Sequence, residues 1–405
     1  MSTIPAAATS PAPALRRGDA GFRRVSVGLF FAGFTTFALL YATQPLLPAL
    51  VDVYGISPGT ASLSVSVTTG GLAVAVLPAS ALSERWGRRP VMVASLGLAV
   101  VCGLAATVAP SFGLLLAARA LEGAALAGLP AVGMAYLADE IDAGHLGGAM
   151  GLYVAGNSVG GFGGRIVVSA VSGATGSWRV ALGAITVLSA VCLVAFWLVL
   201  PRSRRFVPTP VRARNLLASV GAHLRDPVLR RLFVVGLLIM GTFVCAYNYV
   251  AFLLLGPPFG LPEIIVGFVF VLYAVGTVTS TAAGRLADRV GARRVILAAI
   301  GVAALGAVAM LAPVLALVIT GLALLTVGFF AGHTVASAWV GRRARHGRAV
   351  ASGLYLGAYY VGSSVGGTLG GVAYGIAGWP ATVGFVLALL AVTALVAVSL
   401  RASEV

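Results

Sequence analysis

Three charged residues stand inside stretches that otherwise carry no charge: Arg119 and Glu122 in "LLAARALEG", and Arg165 in "GNSVGGFGGR". A charge near the centre of a lipid bilayer costs roughly 3 kcal/mol on insertion scales, so each is a candidate for function. Arg119 and Glu122 are three residues apart, a spacing that brings side chains together on a helix. Arg165 is expected at the same depth in the next helix, so all three are expected to meet. One reading of such a group is a static brace. The other is proton handling, with Glu122 as the sole carboxylate deep in an apolar run. His333, in "FFAGHTVAS", is the second candidate proton carrier, because imidazole changes charge near neutral pH. Its competing reading is a hydrogen-bonded packing residue.

These residues are embedded in helices that the composition demands. The chain has 405 residues, 59% hydrophobic and 9% charged, where soluble domains carry about a quarter charged residues. That much apolar surface requires lipid as its solvent. Charge-free runs include Val25–Val51, Val53–Ser83, Val180–Pro201, Leu232–Pro262 and Ile264–Gly284. The runs Val295–Gly341 and Ala349–Leu400 are each long enough for two crossings of about 20 residues, with turns expected near Ala312-Pro313 and Gly378-Trp379-Pro380. Twelve spans are expected, near 27–50, 58–82, 90–109, 112–137, 149–172, 178–200, 232–256, 263–284, 294–312, 314–339, 349–373 and 380–400.

The formal charge of +16 does not imply nucleic acid. Of the 27 basic residues, all arginine, 24 fall on one face of the twelve-span arrangement. Membrane proteins retain basic residues on cytoplasmic loops, so that face is expected to be cytoplasmic, with both termini on it. Residues 1–24 are expected to be a disordered cytoplasmic tail, with no apolar stretch ahead of its arginines to make a signal peptide. Cys102, Cys192 and Cys245 lie inside predicted spans, so neither disulfides nor a metal site is expected.

The chain repeats itself. "SALSERWGRRP" (Ser80–Pro90) is echoed by "GRLADRVGARR" (Gly284–Arg294), with Leu82 on Leu286 at a separation of 204 residues. "GLYVAGNSVGG" (Gly151–Gly161) is echoed by "GLYLGAYYVGSSVGG" (Gly353–Gly367), and Phe37 and Tyr41 by Phe243 and Tyr247. Two six-helix halves, 25–200 and 232–400, are therefore expected, joined by a basic cytoplasmic linker, 201–231, and followed by a short tail, 401–405.

Two parallel six-helix halves are the architecture of the major facilitator superfamily, which the whole chain after its N-terminal tail resembles. The charged turn is similar to the family signature G-x-L-A-D-R-x-G-R-R, closely in the C half and with Ser80 and Glu84 as departures in the N half. Leu115, Arg119 and Gly123 resemble the family's helix-4 pattern, with Glu122 where it has Gln. "YATQPLLP", "GNSVGGFGGR" and "GHTVASAWVG" resemble the branch called YnfM-like or acriflavine-sensitivity-like. The resemblance implies a clamp in which Glu84 meets span 11 and Asp288 meets span 5. Arg85, Gly87, Arg88, Arg89, Asp139 and Glu140 complete it in the N half, and Gly284, Arg289, Gly291 and Arg293 in the C half. It is expected to be stronger in the N half, because only there do acids follow span 4. The resemblance also implies a central cavity lined by Tyr41, Gln44, Asn157, Tyr247, Asn248, Tyr355 and Tyr359.

The glycines of spans 5 and 11 recur every four or five residues, which lets helices approach closely. They are expected at a moving interface between the halves. Span 5 resembles the family's antiporter signature in part, with Asn157 and Leu152 as departures.

The chain is therefore expected to be an all-α integral membrane protein and a secondary active transporter, not an enzyme. Nothing resembles a phosphate-binding Walker loop, and a membrane enzyme would need paired carboxylates or a nucleophile that the spans do not offer. Proton-coupled efflux of a small organic molecule is the leading expectation, and proton-linked uptake of an organic anion the alternative. A proton gradient, with no cofactor, is expected to drive it, in the inner membrane of a bacterium, as a monomer.

Overall fold

The computed structural model describes residues 13–206, 208, 213–344 and 346–400. Residues 1–12 of the expected tail, Arg212 of the linker, Arg345 of the 10–11 loop and the tail 401–405 lie outside the described residues. The N half consists of α1 (Ala20–Leu40), α2 (Leu47–Tyr54), α3 (Pro58–Trp86), α4 (Arg88–Thr107), α5 (Phe112–Leu126), α6 (Pro130–Glu140), α7 (Leu146–Thr175) and α8 (Trp178–Val199). After α9 (Ala213–Arg225), the C half consists of α10 (Pro227–Leu255), α11 (Glu263–Phe268), α12 (Val275–Val290), α13 (Ala292–Ala309), α14 (Leu315–Arg343) and α15 (Arg348–Val398).

Among the described residues, nine helical stretches are long and apolar enough to cross a membrane. The last of them, α15, has 51 residues and turns sharply at Ala377 and Gly378, where Gly378 adopts a φ of +63°. It therefore holds two crossings. The 30-residue α7 and the broken pair α5–α6 complete the twelve.

Three spans are broken where continuous helices were expected. The first stops at Leu40 and resumes through a 3₁₀ turn, Gln44–Leu46, into α2. Pro45 and Pro48 supply no N–H to an upstream turn and disfavour helix just before them. The fourth breaks at Ala127–Leu129, ahead of Pro130. The Leu129 carbonyl, which accepts the Gly133 N–H at 2.9 Å to start α6, also accepts the Tyr153 hydroxyl at 3.2 Å, so α7 braces the break. The eighth narrows into a 3₁₀ stretch, Val269–Ala274, between α11 and α12.

The expected disorder does not extend to the tail residues beside α1. Leu15 forms a bridge with Ile141, and its N–H donates to the Glu140 carbonyl at 2.9 Å. The linker is not all loop either, since α9 packs on α10 and α15.

The glycine runs divide: part of each packs inside its own half, while Gly353 and Gly357 of α15 face Leu77 and Ala73 of α3 across the halves. Gly156, Gly160 and Gly164 press on Phe30, Phe34 and Ala38 of α1. Gly362, Gly366 and Gly370 press on Leu237, Gly241 and Cys245 of α10. A Cβ at Gly362 would run into the Leu237 carbonyl. The two seams are counterparts, α1 against α7 and α10 against α15. Spacing marks a small-residue face, but the partner of that face depends on how the bundle closes. The halves meet along α3 and α15, and where α7 packs on α11 and the following 3₁₀ stretch.

Candidate functional site

A cavity of about 350 Å³ lies between the halves, within the usual size range for small-molecule sites. Its wall is mainly aromatic, with Phe37, Tyr41, Phe243, Tyr273, Phe330 and Tyr359 prominent. Asn157, Ser158, Arg165, Ser280, His333 and Thr334 supply the polar points. Asn157, Ser158 and Ser280 lie on the parts of α7 and α12 toward the arginine-rich ends. There the two helices separate, and a Cβ at Gly147, Gly148, Gly151 or Gly284 would meet nothing within 4 Å.

The opposite end is sealed. Gln44 Nε2 donates to Asn248 Oδ1 across the halves at 2.7 Å. Gly59 of α3 meets Gly371 of α15 so closely that a Cβ on either would strike the other's backbone. The Tyr249 hydroxyl donates to the Gly367 carbonyl beside them at 2.7 Å. Further along the same helices, Ser66, Thr69, Ser364 and Thr368 interlock α3 with α15, with Thr69 Oγ1 2.8 Å from Ser364 Oγ.

Arg165 does not join Arg119 and Glu122. It stands on the cavity wall, 2% exposed. Its Nε donates to Gln44 Oε1 at 2.5 Å, and its Nη1 donates to the Gly161 carbonyl. The guanidinium sits against the rings of Tyr41, Tyr273 and Phe270, 4.5, 4.9 and 5.0 Å from their centroids. Such contacts are worth about 2 kcal/mol when desolvated, against several kcal/mol for taking an ion out of water. No acidic residue lines the cavity or pairs with Arg165 among the described residues.

Arg119 and Glu122 form a separate, fully buried group inside the N half. Arg119 Nη1 lies 2.6 Å from Glu122 Oε2. The same guanidinium donates to the carbonyls of Leu39 (3.0 Å), Leu40 (2.9 Å) and Ser64 (3.2 Å). Leu39 and Leu40 end α1, where carbonyls lack helical partners and the helix dipole favours a cation. The pair thus holds the break in span 1. Glu122 faces Gly103 of α4 and Thr186 of α8 and does not line the cavity. Depth along each helix was readable from the sequence; which side of the helix each residue occupies was not.

The remaining predicted cavity residues divide into lining and support. Tyr41, Asn157, His333 and Tyr359 line it. His333 Nδ1 lies 3.0 Å from the Tyr355 hydroxyl, and its ring lies 4.7 Å from that of Tyr359. Tyr247 is buried behind the wall with its hydroxyl 2.8 Å from Thr326 Oγ1. Gln44 and Asn248 form the seal. Phe243, Tyr273, Phe329 and Phe330 escaped the sequence reading as wall residues. Phe329 and Phe330 adjoin His333 in sequence, but bare aromatic residues in a span carry no mark that separates a cavity wall from packing.

The charged turns make different contacts in the two halves. Arg88 pairs with Glu84 at 2.8 Å and with Asp139 at 3.1 Å, joining α3, α4 and the end of α6. Arg89 donates to the carbonyls of Trp197 and Leu200 at the end of α8, at 2.8 and 2.9 Å. Glu140 accepts the backbone N–H of Arg204 at 2.7 Å. Gly87 and Gly291 turn one helix into the next with φ of +95° and +94°, which favours glycine. Arg85, Asp288, Arg289 and Arg293 form no ion pair with a described residue, and a Cβ at Gly284 would meet nothing within 4 Å. Among the described residues Glu84 pairs with Arg88 and not with α15, and Asp288 forms no ion pair with α7, although α3 and α15 stay in contact toward this end, where a Cβ at Gly353 would strike the Leu77 side chain. Outside the spans, Asp226 caps α10 and pairs with Arg343 at 2.9 Å. Burial alone would raise its carboxyl, but Arg343 and the N–H groups of Leu229 and Val228 hold it below the usual range.

A model of the Major Facilitator Superfamily matches residues 29–280 and again residues 243–404. The chain is 44% identical over 372 residues to the uncharacterized MFS-type transporter YybF of Bacillus subtilis, covering 92% of each protein. It is 41% identical over 393 residues to the inner membrane transport protein YnfM of Escherichia coli, covering 97% of this chain and 94% of YnfM. A solved bacterial homologue of the human lysosomal transporter Spinster shares its fold, with a TM-score of 0.75 at 15% identity over 96% of this chain and 99% of that one. The two halves, the cavity between them and these relatives together identify a membrane transporter, not an enzyme: the chain belongs to the major facilitator superfamily, in its YnfM-like branch.

Proposed function

We propose that the protein exports a small organic solute from a bacterial cytoplasm in exchange for protons, as a single chain that alternates access to one central cavity. The observation that carries this is the pairing of a sealed end, at Gln44–Asn248 and Gly59–Gly371, with a cavity that opens between α7 and α12 at the other end. The arginine bias makes the open end cytoplasmic, with both termini there, in the inner membrane. The described state then faces inward. The proton gradient suffices as the driving force, and no cofactor is needed.

His333 is the residue we assign to proton coupling. It stands on the cavity wall, where solute and proton can compete, whereas Glu122 is enclosed with Arg119. The partial antiporter signature of α7 supports exchange. Glu84 and Asp288 act when the halves close on this side, each against the helix start opposite. A second reading, uptake of an organic anion with protons, is favoured by Arg165 on the cavity wall. Proteoliposomes with an imposed pH gradient separate the two: export gives accumulation on the acidic side, symport on the alkaline side. Flux that ignores the gradient would refute proton coupling.

A further inference from the structure

We infer that Arg165 is the anchor of a carboxylate site, and that the transported solute is an aromatic carboxylate laid against the rings of the cavity. The inference rests on the reading of this cavity as the solute site, and it names the solute class in either direction of transport.

Four observations converge on it. The guanidinium is almost completely buried and faces a cavity whose described lining contains no acid. Two of its nitrogens are already committed: Nε to Gln44 and Nη1 to Gly161. Those bonds fix the plane of the group and leave Nη2 without a hydrogen-bond partner among the described residues. Finally, Tyr41, Phe270 and Tyr273 surround the cation with ring faces, which weaken its charge only in part and exclude water from it.

A buried cation with one free donor in a cavity without acids is best matched by an anion the solute brings. The apolar remainder of the solute has a place to go. Phe37, Phe243, Phe329 and Phe330 offer ring surface, and the cavity of about 350 Å³ admits a bicyclic body. The polar points on the far wall, Ser280, His333 and Thr334, are neutral or titratable and add no competing acid. A cationic solute would meet Arg165 directly and be repelled.

The anchor is tied to the seal. Gln44 accepts from Arg165 with its Oε1 and donates to Asn248 with its Nε2. A carboxylate on the guanidinium therefore acts on the group that orients one side of the outer closure.

The test is equilibrium binding to the full-length protein in detergent, with three probes of one shape: 2-naphthoate, its neutral amide and 2-naphthylmethylammonium. Wild type is expected to bind naphthoate at least about tenfold more tightly than the amide, and the ammonium least. Arg165→Gln should bind naphthoate no better than the amide, with amide binding still measurable, which shows that the variant is folded. Arg165→Lys should restore part of the preference, because it returns the charge without the flat fork. Phe330→Ala should weaken naphthoate and amide alike. The inference is overturned if wild type binds naphthoate no better than the amide, or if Arg165→Gln keeps the preference. Absence of the carboxylate preference in wild type, together with gradient-driven flux of the amide, would overturn this site and leave the transporter reading standing.

Discussion

Replacing Glu122 should damage the fold more than the coupling. Glu122→Leu leaves the Arg119 cation buried without its carboxylate, a change that costs roughly 3–5 kcal/mol when one partner of a buried pair is removed. Arg119→Leu should cost at least as much, because it also strips donors from the carbonyls of Leu39, Leu40 and Ser64. Each such loss is worth about 1 kcal/mol, so the three alone account for about 3 kcal/mol. In the double variant no charge remains, and only the carbonyl losses persist. Its destabilisation should therefore be no larger than that of either single variant, a coupling of at least roughly 3 kcal/mol. Reversible unfolding in mixed micelles measures the four corners of this cycle. In parallel, Glu122→Gln keeps an acceptor for Arg119, and should retain pH-driven flux in proteoliposomes. Additive single-variant costs would refute the brace. Loss of pH-driven flux in a well-folded Glu122→Gln protein would return the proton to Glu122.

Three further outcomes follow from the same geometry. His333→Gln should reduce gradient-driven accumulation by about tenfold, in the range of ordinary coupling energies, while solute–solute exchange persists; unchanged accumulation would remove His333 from the mechanism. Gly362→Ala should cost about 1–3 kcal/mol by overpacking against Leu237, whereas Gly357→Ala, whose nearest neighbour would be 3.8 Å away, should be neutral; thermal unfolding distinguishes them. The Asp226 carboxyl is held below its usual range, so its charge stabilises above the unfolded value near 3.9 and that contribution is lost as pH falls through the lower folded value. Asp226→Asn should therefore cost under about 1 kcal/mol at neutral pH, as the pair is partly exposed, and the gap to wild type should close below about pH 4; a constant gap across that range would refute the charge as its source.

Much of this architecture was legible because lipid makes few demands and makes them loudly. Apolar runs had to be helices, and the arginine bias ordered their ends. The 204-residue repeat even contains the seal, since Gln44 and Asn248 stand at that separation. What stayed hidden was azimuth. Arg119 and Arg165 share a depth, but one turns into its own half and the other toward the cavity. The glycine runs of α7 and α15 announced close approach without naming α1 and α10 as the partners. The breaks at Gln44–Leu46 and Ala127–Leu129 were signalled by Pro45, Pro48 and Pro130, but whether a proline kinks a span or ends it depends on the donors that neighbouring helices supply.

The central claim is that one end of the cavity closes as the other opens. Spin labels at Gly148 and Arg285 report the arginine-rich ends of α7 and α12, and labels at Thr175 and Ile265 report the sealed ends of α7 and α11. Distances measured in lipid at two pH values, with and without solute, test it directly. The account predicts opposed changes, with the first distance shortening whenever the second lengthens. Distances that change together, or a second distance that never changes while flux proceeds, would contradict it.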